Sequence, residues 1–151
     1  MFNFIDSQTL DLLQRIVFAV VLGCAIGVER DFARKVAGMR THALVALGSA
    51  LFSIASMAFT SAGADPTRIA AQIVTGIGFL GAGIIIFQDH KIQGLTTAAG
   101  IWVAAAVGMA CGFGMYGLAA MGTVLTITIF VVLWPIEHFL EKCWKDRKKP
   151  D

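Results

Sequence analysis

The chain has 151 residues, of which 57% are hydrophobic and only 15% are charged, and its mean hydropathy is +0.76. A soluble domain carries about 25% charged residues, so this composition excludes a disordered chain and argues against a soluble enzyme. It indicates an integral membrane protein.

The charge-free runs divide the chain into about five predicted membrane spans. The first begins near Leu12, with Arg15 snorkelling to the headgroups, and the runs 41–64 and 69–88 hold one span each. The run 92–136 is too long for one crossing and divides at the glycines of 112–117. The predicted fold is therefore an all-α membrane domain over residues 1–141, followed by a basic tail over 142–151. Its predicted spans are 12–28, 43–62, 69–87, 95–112 and 116–136.

The segment 29–42, between the first two spans, predicts an element of its own. Phe32, Val36 and Met39 recur at helical spacing. This pattern predicts a short amphipathic helix that lies on the membrane surface and ends at Gly38.

The placement of the basic residues predicts the orientation. With five spans, every Lys and Arg except Arg15 and Arg68 falls on one side of the membrane. The positive-inside rule puts that side in the cytoplasm and the N-terminus outside. The acidic N-terminus is unlike a cleavable signal, so the first span is expected to remain. Because the basic clusters flank apolar runs, nucleic-acid binding is not expected. The clusters are interpreted as a topology signal, and the alternative is that they bind a specific lipid or partner.

The predicted external turn, residues 63–68, carries a carboxylate. Asp65 is predicted to cap the third helix, with Pro66 at its first position. The alternative is a cation-facing carboxylate at an external mouth, which Arg68 and Gln72 would share.

Glycine is frequent inside the spans and predicts close helix packing. The alternatives are a homo-oligomer interface or a thin path lined by backbone. Glycines on two faces of the third helix predict that this helix is buried at the centre, and its G-x-G-x-x-G pattern is a false nucleotide motif because no strand precedes it. The glycines concerned are Gly23, Gly27, Gly76, Gly78, Gly81, Gly83, Gly108 and Gly112.

Two similar segments, residues 38–43 (GMRTHA) and 94–99 (GLTTAA), open the second and fourth spans. They predict a tandem repeat of two helical hairpins with the fifth helix outside it. Such a repeat would bring together two helix N-termini and form a polar cluster at the cytoplasmic face. The alternative is structural: Glu29 pairs with Arg40, and the threonines and His42 cap helices. The predicted cluster comprises Glu29, Arg30, Arg40, Thr41, Thr96 and Thr97.

Catalytic chemistry finds no support in the sequence. Cys24, Cys111 and Cys143 show no disulfide or zinc spacing, and no catalytic set or cofactor motif is present. We therefore expect no enzyme and no cofactor, and leave a metal site undecided. The chain is expected to form a homo-oligomer in the lipid bilayer. Three functions stay open: a membrane regulator that docks on larger complexes, a small oligomeric ion or solute transporter, and a structural oligomer.

Four blocks of the chain resemble the MgtC/SapB family of bacterial inner-membrane proteins. They are residues 22–30 (LGCAIGVER), 37–48 (AGMRTHALVALG), 68–83 (RIAAQIVTGIGFLGAG) and 94–99 (GLTTAA). The resemblance implies about five spans and a role in survival under magnesium limitation, acid stress or life inside host cells. It further implies action on other membrane machinery, including the F-type ATP synthase, rather than magnesium pumping.

The resemblance also implies which polar positions matter. Some members have Asn where this chain has Thr96, which leaves any role needing an amide in doubt. Many members add a C-terminal domain resembling an ACT module, which this chain is expected to lack. The positions carried over are Glu29, Arg30, Arg40, Thr41, Asp65, Arg68, Gln72, Thr96 and Thr97.

Overall fold

The computed structural model describes residues 6–58, 65, 67–88 and 91–147 and contains five helices. Four are long and apolar enough to cross a membrane, and the third is a shorter apolar helix of 17 residues. Because roughly 17 residues is the lower bound for a spanning helix, the prediction of about five spans is confirmed. The helices are α1 (Ser7–Phe32), α2 (Met39–Ala58), α3 (Arg68–Ile84), α4 (Leu95–Gly112) and α5 (Tyr116–Arg147).

The connection between α1 and α2 contains no helix, so the predicted short amphipathic helix is wrong. Phe32 belongs to α1, Met39 opens α2, and only residues 33–38 lie between them. The three apolar residues that predicted a separate helix therefore lie at the end of one span, in the connection, and at the start of the next span. Phe32 and Val36 are 85% and 83% exposed, as expected of apolar groups that face lipid.

The same backbone motif ends α1 and α4. After α1, the N–H groups of Arg34 and Lys35 donate to the carbonyls of Asp31 and Arg30, with Arg34 at φ 53°. After α4, Gly114 occupies the equivalent position at φ 76°. These paired bonds satisfy carbonyls that a helix end leaves free.

A short antiparallel hairpin, which the sequence did not predict, connects α3 to α4. Its strands are β1 (Ile86–Gln88) and β2 (Lys91–Gln93), and Ile86 pairs with Gln93. Gly94 follows at φ 88°, where an added Cβ would overlap the carbonyl of Ile84. Glycine is therefore required at this start of α4.

The centre of the bundle is formed by α4, which packs on α2. More than half of α4 is buried, whereas α3 buries only Ala70 and Ile77. The prediction that the glycine-rich third helix lies centrally is therefore wrong, since glycine permits close packing on a face without requiring it. That α2 and α4 pack together agrees with the arrangement expected of a tandem repeat, and the repeat itself stays a prediction.

The side chain of Arg15, which is predicted to snorkel to the lipid headgroups, contacts α4. Its Nη1 donates to the carbonyl of Gly112 at 2.9 Å, and its Nε donates to Asp11 at the same distance. A cation at the carbonyl end of a helix interacts favourably with the helix dipole. Arg15 thereby joins α1 to the end of α4.

Candidate functional site

A cleft of about 520 Å³ lies between the last turn of α1 and α5 and is called the basic cleft below. Its α1 side carries residues 29, 30 and 32–35, and its α5 side carries residues 129–131, 133, 134 and 137. Thr96 of α4 completes the lining. The cleft joins a charged mouth to an apolar wall.

Arg30 is the buried cation of this cleft, with only 3% of its surface exposed. Its guanidinium carbon lies 3.5 Å from the ring centroid of Phe130, and its Nε donates to Glu29 Oε2. An aromatic face and a carboxylate together compensate the charge that burial would otherwise leave unsolvated. The predicted alternative in which Glu29 pairs with Arg40 is therefore wrong.

His42 is fully buried. Its Nδ1 lies 2.9 Å from the carbonyl of Gly38 and therefore donates to it, which leaves Nε2 as an acceptor. Within the described residues, Nε2 has no hydrogen-bond partner. His42 thus bonds to the backbone just before α2.

Gly100 brings α4 against both neighbouring side chains. A Cβ at this position would lie 3.0 Å from Phe130 Cζ and 3.3 Å from His42 Nε2. The order Arg30, Phe130, Gly100 and His42 therefore forms one buried layer across α1, α5, α4 and α2. Sequence reasoning did not single out Gly100 or Phe130, because neither carries a polar or periodic signal.

The structure divides the predicted polar cluster. Glu29, Arg30 and Thr96 line the basic cleft, and Thr97 is buried in α4. Arg40 and Thr41 are exposed and do not line the cleft. The cluster is therefore smaller than predicted.

The threonines do not cap the helices, which corrects the structural alternative. The residue at the N-terminal cap of α4 is Gly94, and it makes no side-chain cap bond. At α2, the carboxylate Oδ2 of Asp31 accepts from the N–H of Met39 at 2.9 Å. Asp31 caps α2 from eight residues upstream, outside any local capping pattern, so the sequence carried no signal for it.

Asp65, at the start of α3, does not cap that helix directly. Its Oδ1 accepts from the hydroxyl of Thr67 at 2.7 Å and from the N–H of Thr67 at 2.8 Å. These two bonds, the hydroxyl first, lower the pKa of Asp65 below 3.8. The helix begins at Arg68 with Thr67 as its cap residue, and Pro66, which was predicted at the first position, lies outside the described residues.

The other two residues of the predicted external mouth separate. Arg68 is exposed, whereas Gln72 lines an apolar groove of about 510 Å³ between α2 and α3, called the α2–α3 groove below. Ser49, Gly48 and Gly76 also line it, and a Cβ at either glycine would meet nothing within 4 Å. The groove is thus open at these two glycines, where no side chain covers the helix backbone.

The predicted packing glycines fall into two groups. A Cβ at Gly23, Gly27, Gly108 or Gly112 would collide with α2 or the residue before it, so there the helices meet closely. A Cβ at Gly81 would make ordinary contact with Ala98 at 3.8 Å. In the part of the chain that the structure describes, a Cβ at Gly76, Gly78 or Gly83 would meet nothing within 4 Å, so these glycines are not required for close packing.

The described part of the chain contains no group of three or more His, Cys, Asp or Glu residues that could hold a metal ion. Cys24, Cys111 and Cys143 are free thiols.

Comparison with known proteins identifies relatives over most of the chain. Residues 16–139 match the model described as the MgtC family. The "Putative magnesium transporter YhiD" of Escherichia coli K12 is 47% identical over 132 residues, which cover 83% of this chain and 61% of that protein. "Protein MgtC" of Brucella abortus is 49% identical over 123 residues, covering 82% and 51%. "Protein MgtC" of Salmonella typhimurium is 45% identical over 115 residues, covering 76% and 49%.

No solved structure matches the chain. The chain spans about half to three-fifths of the length of the curated relatives it matches.

Proposed function

The chain belongs to the MgtC family, and from that premise we propose that it regulates other membrane machinery instead of transporting an ion itself. It is a multi-pass membrane protein with relatives named for magnesium. The proposed role is adaptation to magnesium limitation, acid stress or life inside host cells, without catalysis and without a cofactor. The proposed location is the bacterial inner membrane, with the N-terminus outside and the basic cleft in the cytoplasm, as the positive-inside rule favours.

The close contact between α4 and α2 is the observation that carries this proposal. A Cβ at Gly108 would overlap the carbonyl of Ala46, and a Cβ at Gly112 would lie 2.6 Å from the carbonyl of Ala50. The two central backbones therefore leave no room for a methyl group, and still less for a hydrated ion. This favours a packed core over a passage.

Buried hydroxyl groups support the same conclusion. Ser53, Thr123 and Thr126 donate to carbonyls one turn earlier in their own helices, at 2.8, 2.9 and 2.6 Å. A hydroxyl that is bonded to its own backbone offers less coordination to a passing cation. The hydroxyl groups of these three side chains therefore form their hydrogen bonds within the helix bundle.

The α2–α3 groove is the surface that we propose for docking a transmembrane helix of the regulated complex. Each glycine inside a helix costs about 1 kcal/mol relative to alanine, yet Gly48 and Gly76 gain no close contact in this chain. Small residues let a second helix approach closely, and Ser49 and Gln72 can bond to it. By resemblance the proposed partner is the F-type ATP synthase.

A flux measurement tests the proposal against transport, which the name of the E. coli relative favours. The purified full chain is placed in liposomes that contain a magnesium-sensitive dye, and external Mg²⁺ is added. We expect uptake equal to that of protein-free liposomes, with an ionophore as the positive control. Uptake that requires the chain and is lost in Glu29→Gln would support the transporter instead.

Photo-crosslinking tests the docking surface. A photoreactive amino acid replaces Gly76 in the groove or, as a control, Gly117, which is equally open but lies on α5. In magnesium-starved cells we expect position 76, and not position 117, to cross-link to a membrane subunit of the ATP synthase. Cross-links that form only between copies of the chain would instead indicate that the groove is a homo-oligomer interface.

A further inference from the structure

Arg34 adopts a backbone conformation that favours glycine. Its φ is 53°, and the equivalent turn after α4 has Gly114 at φ 76°. A non-glycine residue held in the left-handed region marks a position where a side chain is retained despite local strain. Here the side chain lines the mouth of the basic cleft.

The mouth of the cleft carries uncompensated positive charge. Glu29 is paired with Arg30, so that pair contributes no net charge. Arg34 and Lys35 remain, both exposed, and Glu137 is the one other acidic residue among the described residues of the lining. The mouth is therefore complementary to an anion.

The rest of the cleft is apolar and runs along α5. Leu133 and Trp134 are 45% and 58% exposed. The Trp134 ring stacks on His138 with centroids 5.0 Å apart, and tryptophan is enriched at the headgroup level of membranes. Pro135 also removes the N–H that would ordinarily pair with the carbonyl of Val131, a residue of the lining.

We propose that the basic cleft binds an anionic phospholipid. Arg34 and Lys35 contact the phosphate, and an acyl chain lies against the apolar wall of α5. A free phosphate ion would use the cations but not the apolar wall, which is why a lipid fits the cleft better. This binding goes beyond the proposed function and requires no protein partner.

Tryptophan quenching by brominated lipids tests the proposal. Trp102→Phe and Trp144→Phe leave Trp134 as the reporter in the cleft, since the chain has three tryptophans. In vesicles, brominated phosphatidylglycerol should quench Trp134 more strongly than brominated phosphatidylcholine. Arg34→Gly with Lys35→Gln should lower that preference about fivefold per cation removed. Glycine suits the left-handed turn, so this variant keeps the fold.

The control variant Arg40→Gln with Lys142→Gln removes the same charge from outside the cleft and should keep the preference. Equal quenching by both lipids in the parent protein, or an equal loss in both double variants, would overturn the proposal. So would displacement of the brominated lipid by inorganic phosphate alone, which would assign the site to the free ion. Because the assay contains no ATP synthase, its failure leaves the regulatory proposal untouched.

Discussion

Arg34 and Gly114 stand at the same position of one helix-ending motif, which makes them a matched pair for measuring backbone strain. A left-handed conformation costs a non-glycine residue roughly 1–2 kcal/mol. We expect Arg34→Gly to raise the free energy of unfolding by about 1 kcal/mol and Gly114→Ala to lower it by about the same amount. Denaturant titration in detergent measures both. A less stable Arg34→Gly protein would show that the arginine side chain stabilises the turn by more than the strain costs.

Asp31 and Gly38 are coupled through direct contact. A Cβ on Gly38 would overlap the carboxylate of Asp31, which accepts from Met39 at the start of α2. We expect Asp31→Ala to destabilise the protein by about 1 kcal/mol, as loss of a helix cap does. Gly38→Ala should be destabilising in the parent chain and nearly neutral in the Asp31→Ala background.

The double-mutant cycle measures that coupling. Strictly additive changes in unfolding free energy would contradict the proposed contact. His42 donates to the carbonyl of the same Gly38, so the cycle also reports on the edge of the buried layer.

At the scale of the helices, alanine substitutions at two glycines are expected to change the free energy of unfolding differently. Gly108 lies against the backbone of α2, whereas Gly76 faces open space. Overpacking a tight interface costs typically 1–3 kcal/mol, so Gly108→Ala should be destabilising by that order. Gly76→Ala should be neutral or stabilising by up to about 1 kcal/mol, because alanine favours the helix. Equal effects of both substitutions on the unfolding midpoint would contradict the assigned packing.

The stability of the start of α3 should depend on pH. The pKa of Asp65 is lowered, so the contribution of its bonds is fully present above 3.8 and is lost as the pH falls through the lower folded value. NMR titration of the Asp65 carboxyl should show this depressed pKa. Thr67→Val removes the bond that contributes most and should move the pKa back towards 3.8. A value unchanged by Thr67→Val would contradict the assigned cause.

Hydropathy predicted the spans because the run lengths of apolar residues follow the thickness of the bilayer, which tertiary packing does not alter. Periodicity failed at Phe32, Val36 and Met39, since one spacing fits both a surface helix and the ends of two spans. Glycine content identified helices that could approach closely, yet it could not say which side of α3 has a neighbour.

The candidate site was predictable only in part. Glu29, Arg30 and Thr96 followed from the pattern of charges and helix starts, and the structure brings them to one cleft. Phe130 contacts Arg30 from a distant helix, and Asp31 caps α2 from eight residues upstream, so neither contact leaves a recognisable local pattern in the sequence. Arg40 is exposed on α2, and the basic cleft is lined by residues of α1, the turn after it, α4 and α5, so Arg40 takes no part in it.

On the scale of the whole molecule, the chain combines a tightly packed centre with two different outer surfaces. The α2–α4 contact leaves no passage between these two helices, the basic cleft lies at the end of α1, and the α2–α3 groove lies along the side of the bundle. Such a molecule has more surface for binding neighbours than interior for carrying solutes. This division is the physical basis for proposing a regulator.

Co-reconstitution with the F-type ATP synthase tests that claim most directly. ATP-driven proton pumping is followed in liposomes with the synthase alone, with the chain, with Gly48→Leu/Gly76→Leu, and with Gly117→Leu as the control. The leucines fill the groove or an equally open position on α5. We expect the chain and the Gly117→Leu variant to change the pumping rate and the groove variant to leave it unchanged. Pumping unaffected by the chain, together with chain-dependent Mg²⁺ uptake in liposomes without synthase, would contradict it.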